Sequence, residues 1–527
     1  MAANIADLFE HAVDAFGDRV AVACGERAAT YAELEETANR LAHFLRSRGV
    51  GKGAHVGLYA GNSIEALVAM IAVYKLRAVV VNVNYRYVEN ELQYLITDAG
   101  LDVLIHDRGL SERVGAVASG LTTMIALPDG SRSDLPGVSY ADAVGAGKPG
   151  RDFGERSGDD IYLLYTGGTT GYPKGVIWRH EDVWRVLGGG IDFMTGIPLD
   201  DEWAQSRRGA ETPPMTRLCL APLIHGNAQW AALAGLFAGD TVVFLPHFDA
   251  EEVWRTVERR RVNVIVLIGD AMARPIIEAY LAGSHDGSSL VAISSSAALF
   301  SPSVKRQYLQ ALPDVMVTDA IGASETGFTG LGIVADVAGG AVDGPRVMPG
   351  PDTIVIDEHG RKAPPGVIGR LARGGHVPLG YYNDPAKTAE LLTEVDGVRY
   401  AVPGDLARIE DDGTITLLGR GNTCVNTGGE KVFPEEVEGA LKSHPDVFDA
   451  LVIGIPDDLL GQKVAALVQL RDGAKADVDG LDTLVRQRIA GFKAPRAIWF
   501  VDRIQRTISG KADYRWAHAW TRENDAD

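Results

Sequence analysis

The sequence predicts an α/β protein with a large N-terminal domain, whose sheets are covered by helices on both faces, and a small α+β C-terminal domain. The chain has 527 residues, whereas a single hydrophobic core stops growing at roughly 250 to 300 residues. Strand-like apolar runs alternate with amphipathic helices through most of the chain, which is the pattern of a largely parallel sheet. After Gly419 this pattern changes to shorter, more closely spaced elements.

The first predicted elements are a helix and a strand. Thr30 and Glu33 form a capping box, after which apolar residues recur at helical spacing until Gly49 ends the helix. The apolar run His55–Tyr59 predicts a strand, and a second helix leads to a further strand at Val103–His106. This order is typical of consecutive strand and helix units.

The longest apolar stretch, Ala66–Val83, is interrupted by Lys75 and Arg77. Each of these charges would cost about 2.5 to 3.5 kcal/mol at the centre of a membrane helix. We therefore predict a buried helix that leads into a strand, and no transmembrane segment. Later apolar runs indicate that the large domain holds more than one sheet, at Leu218–Leu223, Thr241–Leu245 and Val264–Ile268.

The C-terminal part begins with a loop rich in Gly, Asn and Thr, Gly419–Gly429. Its predicted helices and strands follow in the order Pro434–Leu441 (helix), Leu451–Ile455 and Val464–Leu470 (strands), Leu481–Ile489 (helix) and Ala497–Val501 (strand). About a hundred residues of this pattern suffice for a separate small core. We place the joint near Asn422, which predicts a large domain of residues 1–421 and a small domain of residues 422–527.

Composition excludes several classes of protein. The formal net charge of −19 argues against nucleic-acid binding and against a polybasic membrane anchor, because both require positive surfaces. The cysteines are few and widely spaced, which excludes a disulfide framework and a thiolate zinc site, at Cys24, Cys219 and Cys424. With no secretory leader, these features favour a cytoplasmic protein. If the chain forms oligomers, a homodimer is the default expectation.

The strongest local motif is Thr166-Gly-Gly-Thr-Thr-Gly-Tyr-Pro-Lys174-Gly175, directly after the apolar run Ile161–Tyr165. Glycines allow backbone amides to approach a polyphosphate, threonines add hydroxyl donors, and Lys174 supplies a point charge. A surface loop without a ligand is the alternative, but the preceding strand and the Pro-Lys-Gly ending favour phosphate binding. The motif is not a Walker A loop, because no Gly-Lys-Ser/Thr closes it.

This motif resembles the signature Thr-Ser-Gly-Thr-Thr-Gly-x-Pro-Lys-Gly of the adenylate-forming superfamily, with Gly167 in place of the usual serine. Further blocks of the superfamily follow in order along nearly the whole chain: Pro222–Gly226, Ser294–Leu299, Ile321–Thr326, Gly380–Pro385, Gly404–Leu406, Gly419–Arg420, Gly428–Lys431 and Ser509–Lys511. The chain is most similar to actinobacterial fatty-acyl and steroid side-chain CoA ligases. The resemblance implies a smaller β subdomain in the large domain and a mobile C-terminal domain.

The resemblance also implies an ATP site. The phosphates would be bound by Thr166, Gly167, Gly168, Thr169, Thr170, Gly171 and Lys174. Lys174 is also predicted to be catalytic. Glu325 would bind magnesium together with the hydroxyl of Thr166, and this carboxylate is likewise predicted to be catalytic. Asp405 would accept hydrogen bonds from both ribose hydroxyls, and Arg420 would contact the ribose or the phosphates.

Two further segments would hold the adenine ring. Ile321 stands where many relatives have an aromatic residue that stacks on the base, so an aliphatic side chain here would cover the ring by dispersion alone. The segment continues with Gly322, Ala323 and Ser324, and the other side of the base would be lined by Ser296, Ala297 and Ala298.

The acyl side of the site is predicted from fewer residues. His225, between Pro222 and Gly226, would position the carboxylate or assist the thioester step, although a core histidine is the alternative. The triple glycine Gly188–Gly190 favours a wide pocket, because missing side chains leave room for a bulky acyl group. Three tryptophans in this part are interpreted as ordinary core residues, namely Trp178, Trp184 and Trp230.

The small domain would carry the lysine that is needed for adenylation and is withdrawn for the second step. Lys511 matches the lysine that bridges the substrate carboxylate and the α-phosphate during adenylation, where a preorganised cation is most effective. Asn422 occupies the hinge position, where relatives have Asp or Lys, and rotation there would withdraw Lys511 for the second step. The pantetheine arm of CoA would then pass Gly428, Gly429, Glu430 and Lys431.

These residues predict an acyl-CoA ligase that uses ATP, Mg²⁺ and CoA. A hydrophobic acid, either a medium- or long-chain fatty acid or a sterol side-chain acid, would form acyl-AMP and pyrophosphate, and CoA would then displace AMP. One alternative is an enzyme that forms acyl-AMP and either transfers the acyl group to a carrier protein or oxidises it as a luciferase does. A non-catalytic nucleotide sensor is the other alternative, and the predicted catalytic lysine on the second domain argues against it.

Overall fold

The computed structural model describes residues 3–132, 137–166, 173–192, 197–334, 345–421, 423–427, 430–457, 460–475, 477–507 and 510–524. The chain divides into two compact units. Unit 1 comprises Met1–Val266, Ser288–Leu290 and His376–Leu392, and unit 2 comprises Leu267–Gly287, Val291–Gly375 and Thr393–Asp527. No helix within the described ranges combines the length and the apolar character that crossing a bilayer requires.

The first half of the chain alternates helices and strands. In chain order its elements are α1 (Ile5–Phe16), β1 (Val20–Cys24), β2 (Arg27–Thr30), α2 (Tyr31–Ser47), β3 (His55–Tyr59), α3 (Ile64–Lys75), β4 (Val79–Asn82), α4 (Glu89–Asp98), β5 (Val103–Asp107), α5 (Ser111–Val117), β6 (Thr123–Leu127), β7 (Val138–Ser139), α6 (Tyr140–Ala146), β8 (Ile161–Thr166), β9 (Lys174–Arg179), α7 (His180–Val186), α8 (Ala204–Glu211), β10 (Thr216–Cys219), α9 (Gly226–Phe237), β11 (Thr241–Phe244), α10 (Ala250–Arg260) and β12 (Val264–Leu267). This alternation confirms the predicted α/β class.

The second half contains more strands than helices. Its elements are α11 (Gly269–Ala282), β13 (Ala292–Ser296), α12 (Pro302–Ala311), β14 (Met316–Ala323), β15 (Gly327–Ile333), β16 (Arg346–Pro349), β17 (Thr353–Ile356), β18 (Ile368–Arg373), β19 (Gly380–Tyr381), α13 (Pro385–Leu391), β20 (Leu392–Val395), β21 (Val398–Ala401), β22 (Asp405–Ile409), β23 (Ile415–Arg420), β24 (Val425–Thr427), β25 (Glu430–Val432), α14 (Pro434–Leu441), β26 (Val447–Asp457), β27 (Gly461–Leu470), α15 (Val478–Arg488), β28 (Ala497–Phe500) and α16 (Tyr514–Asn524).

Unit 1 is built around parallel strands. One sheet has the order β19-β9-β8-β4-β3-β5-β6-β7, in which the strands from β8 to β7 pair in parallel and β9 and β19 are antiparallel additions. A second group of strands has the order β2-β1-β11-β10-β12, with only β2 antiparallel. Because β4 and β8 pair in parallel, their carboxyl ends lie side by side at one edge of the sheet.

The predicted helix after the capping box is confirmed as α2. The side chain of Thr30 accepts the N–H of Glu33, and the Glu33 carboxylate accepts the N–H of Thr30. The predicted buried helix is also confirmed, as α3 followed by β4. Lys75 at its end is fully buried, and its ammonium forms ion pairs with Glu10 and Glu35. These two carboxylates compensate the buried charge.

Unit 2 contains a mostly antiparallel region, in which β13 and β14 pair in parallel, and a separate C-terminal sheet. The strands of the former have the order β13-β14-β15-β16-β23-β22-β18-β21-β20, with β17 beside β18. The C-terminal sheet has the order β25-β24-β27-β26, with β28 beside β27. In β26, Ala450 and Val452 belong to the apolar core that α14 and α15 share, whereas Leu451 and Ile453 belong to the core that contains Ala517 of α16. The sheet is therefore covered on both faces.

Two predicted segments differ from the structure. The run Leu218–Leu223 forms a strand only to Cys219, because Pro222 and the turn around it leave the sheet. The predicted loop Gly419–Gly429 contains the end of β23 and all of β24, and β24 forms an antiparallel hairpin with β25. Short polar strands of this kind are stabilised by their partners rather than by their own composition.

Candidate active site

The predicted phosphate loop connects β8 and β9 in unit 1. Thr166, the last residue of β8, pairs directly with Lys174, the first residue of β9. The sequence between them includes Gly167, Gly168, Thr169, Thr170 and Gly171, which lie outside the described residues. Both ends of the loop are therefore fixed in register at the carboxyl end of a buried parallel strand, the edge at which ligands of α/β sheets bind.

Lys174 forms an ion pair that the sequence did not predict. Its ammonium Nζ lies 2.7 Å from Oδ2 of Asp384, and it also lies 5.7 Å from the ring centroid of Tyr381. Asp384 caps α13 as well, by accepting the N–H of Lys387. The hydrogen bond from Lys174 and the N–H of Lys387 lower the pKa of this carboxyl. The block Gly380–Pro385 thus supplies the residue that orients Lys174.

A buried asparagine joins the phosphate loop to the predicted acyl side. The side-chain amide of Asn82, at the end of β4, donates to the carbonyl oxygens of Tyr165 at 2.8 Å and Ile224 at 2.7 Å. Its Oδ1 accepts the N–H of Tyr165 at 2.7 Å. Because Tyr165 precedes Thr166 and Ile224 precedes His225, Asn82 positions both residues. An asparagine at the end of an apolar run is the only sequence signal for this role.

Asn82→Leu is expected to lower the adenylation rate by roughly 10 to 10² fold, because small displacements of positioning groups have effects of that size. The matched control is Asn39→Leu, which removes a similar buried bond to the carbonyl of Pro149, also in unit 1. Pyrophosphate exchange and thermal unfolding should be measured for both variants. Similar losses of exchange activity in both would contradict a positioning role for Asn82.

His225 lies at the start of α9 and is half-buried. Its N–H donates to the carbonyl oxygen of Pro222 at 2.9 Å. Leu223 in the same turn donates its N–H to Oδ1 of Asn62 at 2.7 Å. The turn before His225 is therefore held by two asparagines, Asn62 and Asn82. This arrangement fixes the backbone of His225 beside the end of β8.

The triple glycine does not provide the open space that we predicted. A Cβ on Gly188 would lie 3.2 Å from the ring of Phe237, one on Gly189 would lie 2.6 Å from the side-chain amide of Gln205, and one on Gly190 would lie 2.8 Å from the ring of Trp184. The glycines instead allow these side chains to pack against the backbone. Trp178 and Trp184 are fully buried, as predicted for core residues.

In unit 2, the predicted adenine segment has a strained backbone. Ala297 has φ of 66°, and the N–H of Ala298 donates to the carbonyl of Ser296 at 2.8 Å, so the three residues form a tight turn. Left-handed backbone in a residue other than glycine is uncommon and clusters at functional sites. The strain is consistent with a segment whose backbone groups are shaped to meet a ligand.

The segment around Glu325 is the tight connection between β14 and β15. The N–H of Ala323 donates to the hydroxyl of Thr326 at 3.1 Å, and the N–H of Thr326 returns to the carbonyl of Ala323 at 3.2 Å. Glu325 and Ser324 within this turn are half-buried, whereas Gly322 is exposed. The turn therefore holds the Glu325 carboxylate on a rigid support.

Ile321 lies at the end of β14 and is only 5% exposed. Its side chain belongs to a core cluster that includes Val347, Val355 and Leu371. The side chain therefore contributes to the interior of unit 2, whereas we had expected it to cover the adenine ring. The sequence did not reveal this orientation, because the face on which a strand residue lies depends on the register of the sheet.

Asp405 and Arg420 occupy directly opposite positions on the antiparallel strands β22 and β23. The N–H of Gly421 donates to the carbonyl of Gly404 at 3.1 Å, which closes this end of the strand pair. The backbones of the two residues that were predicted to contact the ribose are therefore paired in the sheet.

Lys511 lies on a short turn that precedes α16. The N–H of Thr507 donates to the carbonyl of Lys511 at 2.8 Å, and the N–H of Gly510 donates to the carbonyl of Thr507 at 2.9 Å. Arg506 and Ala512 pair at the base of this turn. The Lys511 side chain is exposed, whereas Gly510 is buried. The backbone therefore fixes the position from which the lysine extends.

The predicted CoA residues follow the joint between β23 and β24. Glu430 pairs with Thr427, and Lys431 pairs with Asn426, in the hairpin of β24 and β25. Gly428 and Gly429, which stand between the two strands in the sequence, and Asn422, at the predicted joint, lie outside the described residues.

The predicted metal ligands fit magnesium. Within the described ranges, no group of three or more His, Cys, Asp or Glu residues could hold a metal ion by itself. Magnesium usually binds through one or two carboxylates, with substrate phosphates and water as its other ligands. The half-buried carboxylate of Glu325 meets this requirement.

Comparisons with known proteins cover nearly the whole chain. Residues 9–382 match the family described as AMP-binding enzyme, and residues 436–511 match the AMP-binding enzyme C-terminal domain. The chain is 53% identical to 3-oxocholest-4-en-26-oate–CoA ligase of Rhodococcus rhodochrous, over 100% of this chain and 97% of that protein. It is 52% identical to a medium/long-chain-fatty-acid–CoA/3-oxocholest-4-en-26-oate–CoA ligase of Mycobacterium tuberculosis, over 100% of this chain and 98% of that protein.

Solved structures show the same fold. The anthranilate CoA ligase AuaEII, crystallised with anthranoyl-AMP, superposes with a TM-score of 0.86 at 22% identity, over 100% of this chain and 98% of that chain. ATP-bound MatB from Rhodopseudomonas palustris gives a TM-score of 0.84 at 26% identity, over 98% of this chain and 99% of that chain. These similarities confirm a mixed α/β fold with a large N-terminal and a smaller C-terminal domain. The chain belongs to the family of AMP-binding enzymes.

Proposed function

We propose that this protein is an ATP-dependent acyl-CoA ligase that activates a hydrophobic carboxylic acid. The observation that carries the proposal is the full-length similarity, above 50% identity, to ligases that are named for joining CoA to fatty acids or to 3-oxocholest-4-en-26-oate. In the first step the carboxylate attacks the α-phosphate of ATP, which gives acyl-AMP and pyrophosphate. In the second step the thiol of CoA attacks the acyl carbonyl, which gives the thioester and AMP.

For the substrate, we propose two overlapping groups: medium- and long-chain fatty acids, and steroids that carry a side-chain carboxylate. Support comes from the relative of Mycobacterium tuberculosis, whose name gives both groups for a single protein. Unit 1 contributes the residues proposed for the acyl side. Among them, His225 at the start of α9 would orient the carboxylate or assist the thioester step.

For ATP, we propose separate contacts to the phosphates, the ribose and the base. Thr166, Lys174 and the glycines between them would bind the phosphates, and Asp384 would keep Lys174 oriented until ATP arrives. Asp405 would bind the ribose, because a carboxylate is a two-oxygen acceptor, and Arg420, its partner in the strand register, would contact the ribose or the phosphates. Adenine would contact the backbone of Ser296, Ala297 and Ala298 and of Ile321, Gly322, Ala323 and Ser324.

Magnesium would bind to Glu325 and to the hydroxyl of Thr166, where it would neutralise charge on the phosphates. Lys511 would stabilise the charge that develops between the carboxylate and the α-phosphate in the first step. Gly428, Gly429, Glu430 and Lys431 would line the path of the CoA arm in the second step. The cytoplasmic location and the homodimer stay predictions, and light scattering in solution tests the latter.

A panel of acids tests the proposed function. The purified protein should be incubated with ATP, Mg²⁺, CoA and one acid at a time, with thioesters detected by mass spectrometry. Palmitate, octanoate and 3-oxocholest-4-en-26-oate are expected to give thioesters, whereas a charged amino acid should not. Accumulation of acyl-AMP that CoA does not consume would favour delivery to a carrier protein, and ATP binding without turnover would favour a sensor.

The metal assignment is tested with Glu325→Gln, which keeps the shape of the side chain and removes its charge. The magnesium concentration that gives half-maximal adenylation is expected to rise, because the remaining ligands bind the cation more weakly. Binding of pre-formed acyl-AMP needs no metal, so its dissociation constant should change little. An unchanged magnesium titration would contradict the assignment. Glu358→Gln, on an exposed turn of unit 2, is the control.

A further inference from the structure

The start of helix α11 is bonded to the segment proposed to bind adenine. The N–H of Gly269 donates to the hydroxyl of Ser295 at 3.0 Å, and the N–H of Asp270 donates to the carbonyl of Leu299 at 2.8 Å. The carboxylate of Asp270 accepts the N–H of Ser301 at 2.9 Å. Asp270 is therefore fixed relative to the turn at Ala297.

A buried lysine connects Asp270 to the C-terminal sheet. Lys442, which follows α14, has a side chain that is 1% exposed, and its Nζ lies 3.6 Å from Oδ2 of Asp270 and 3.1 Å from Oδ1 of Asp449. Asp449 lies on β26 and forms a two-pronged ion pair with Arg506, with distances of 2.6 and 2.7 Å. The charges of Lys442 and Arg506 hold the pKa of Asp449 well below its usual value, against the effect of burial.

The same series of contacts reaches the turn that carries Lys511. The guanidinium of Arg506 donates to the carbonyl of Gly510, next to Lys511, at 3.3 Å. Gly510 itself packs on the start of α11, since a Cβ there would lie 3.1 Å from Ile268 and 3.6 Å from Ala271. The turn of Lys511 is thus held against α11 by packing. It is also linked to α11 by a series of charged contacts, which runs through Asp270, Lys442, Asp449 and Arg506.

The contact between Lys442 and Asp270 can be broken without leaving either charge unpaired. If the C-terminal sheet moves away from α11, Lys442 keeps Asp449, and Asp270 keeps the N–H of Ser301 and the guanidinium of Arg274 at 3.7 Å. A buried charge left without any partner would be strongly unfavourable. Here each partner retains a second one, so the contact suits a reversible connection.

We propose that Asp270 and Lys442 form a charge latch that favours the arrangement in which Lys511 serves adenylation. Release of the latch would accompany the change to thioester formation, so the inference rests on the proposed two-step function. Asp270 and Lys442 are positioning residues, because they act through Asp449, Arg506 and Gly510 and not on the substrate. The latch biases the balance between the two half-reactions.

The test uses Asp270→Asn, Lys442→Met and the double variant in the full-length protein. Each single variant is expected to lower pyrophosphate exchange by about tenfold, the usual scale of coupling between two states. Thioester formation from supplied acyl-AMP should be unchanged or faster, because that step does not need the latch. The double variant should lose no more exchange activity than either single variant, because both changes remove the same contact.

The matched control is Glu278→Gln. Glu278 also lies on α11 and pairs with Arg471 of the C-terminal part at 2.7 Å, but both side chains are one-third exposed, at 33%. A partly exposed ion pair contributes little free energy to the contact between two elements, so the rates of both half-reactions should stay within about twofold of the wild type. Parallel loss of both half-reactions in the latch variants, or no loss of exchange, would overturn the latch. Absence of exchange in the wild type with every acid would instead refute the proposed function.

Discussion

Lys511→Ala is expected to lower the rate of adenylation by about 10² to 10³ fold, as the loss of one preorganised group at a developing charge does. Thioester formation from supplied acyl-AMP should be retained, because the proposed second step makes no use of this lysine. The structure supports a local effect, since Lys511 is exposed and the turn around it is held by backbone hydrogen bonds. Pyrophosphate exchange and acyl-CoA formation should be measured on the same preparation.

Lys475→Ala is the control for this experiment, because Lys475 is an exposed lysine in a loop of the same C-terminal part. It should leave both rates unchanged. If Lys511→Ala lowered both half-reactions equally while the protein remained folded, the separation of roles between the two steps would be wrong.

Asn422→Pro is expected to abolish thioester formation while adenylation continues. Proline fixes φ near −65° and removes the backbone freedom that rotation at a joint requires. The position lies between β23, which carries Arg420, and β24, which begins the proposed CoA hairpin. A chain locked in the arrangement that serves the first step would form acyl-AMP and then stop. The measurement is again the pair of rates on one protein.

Asn422→Asp provides the matched control, because aspartate is common at this position in the superfamily and keeps backbone freedom. Both half-reactions are expected to continue in this variant. Loss of both rates in Asn422→Pro, or of neither, would place the joint elsewhere in the chain.

The sequence predicted elements whose signals are local. The capping box of α2, the buried helix α3 and the strand β3 were all predicted correctly, and α14 was predicted with both of its ends. In each case the signal lies within the element itself, as a cap, an apolar period or a proline at the first turn. Motif order along the chain similarly indicated the family, because it does not depend on side-chain orientation.

Features that depend on distant partners could not be predicted. Asn82 bonds to residues 83 and 142 positions away, so no local pattern shows its role. The β24 strand is polar and short, and it forms because Thr427 pairs with Gly461 of β27 and with Glu430 of β25. The glycines Gly188–Gly190 indicated open space, but whether neighbouring side chains fill such space is decided only by tertiary packing.

The central claim, activation of the acid through an acyl-adenylate, is tested most directly with a substrate whose carboxylate carries two ¹⁸O atoms. Attack of the carboxylate on the α-phosphate places one labelled oxygen between carbon and phosphorus, and the thiol later displaces AMP at the carbonyl carbon. Mass spectrometry is therefore expected to find one ¹⁸O in AMP and one in the thioester. Unlabelled AMP, or ADP as the nucleotide product, would contradict the proposed mechanism.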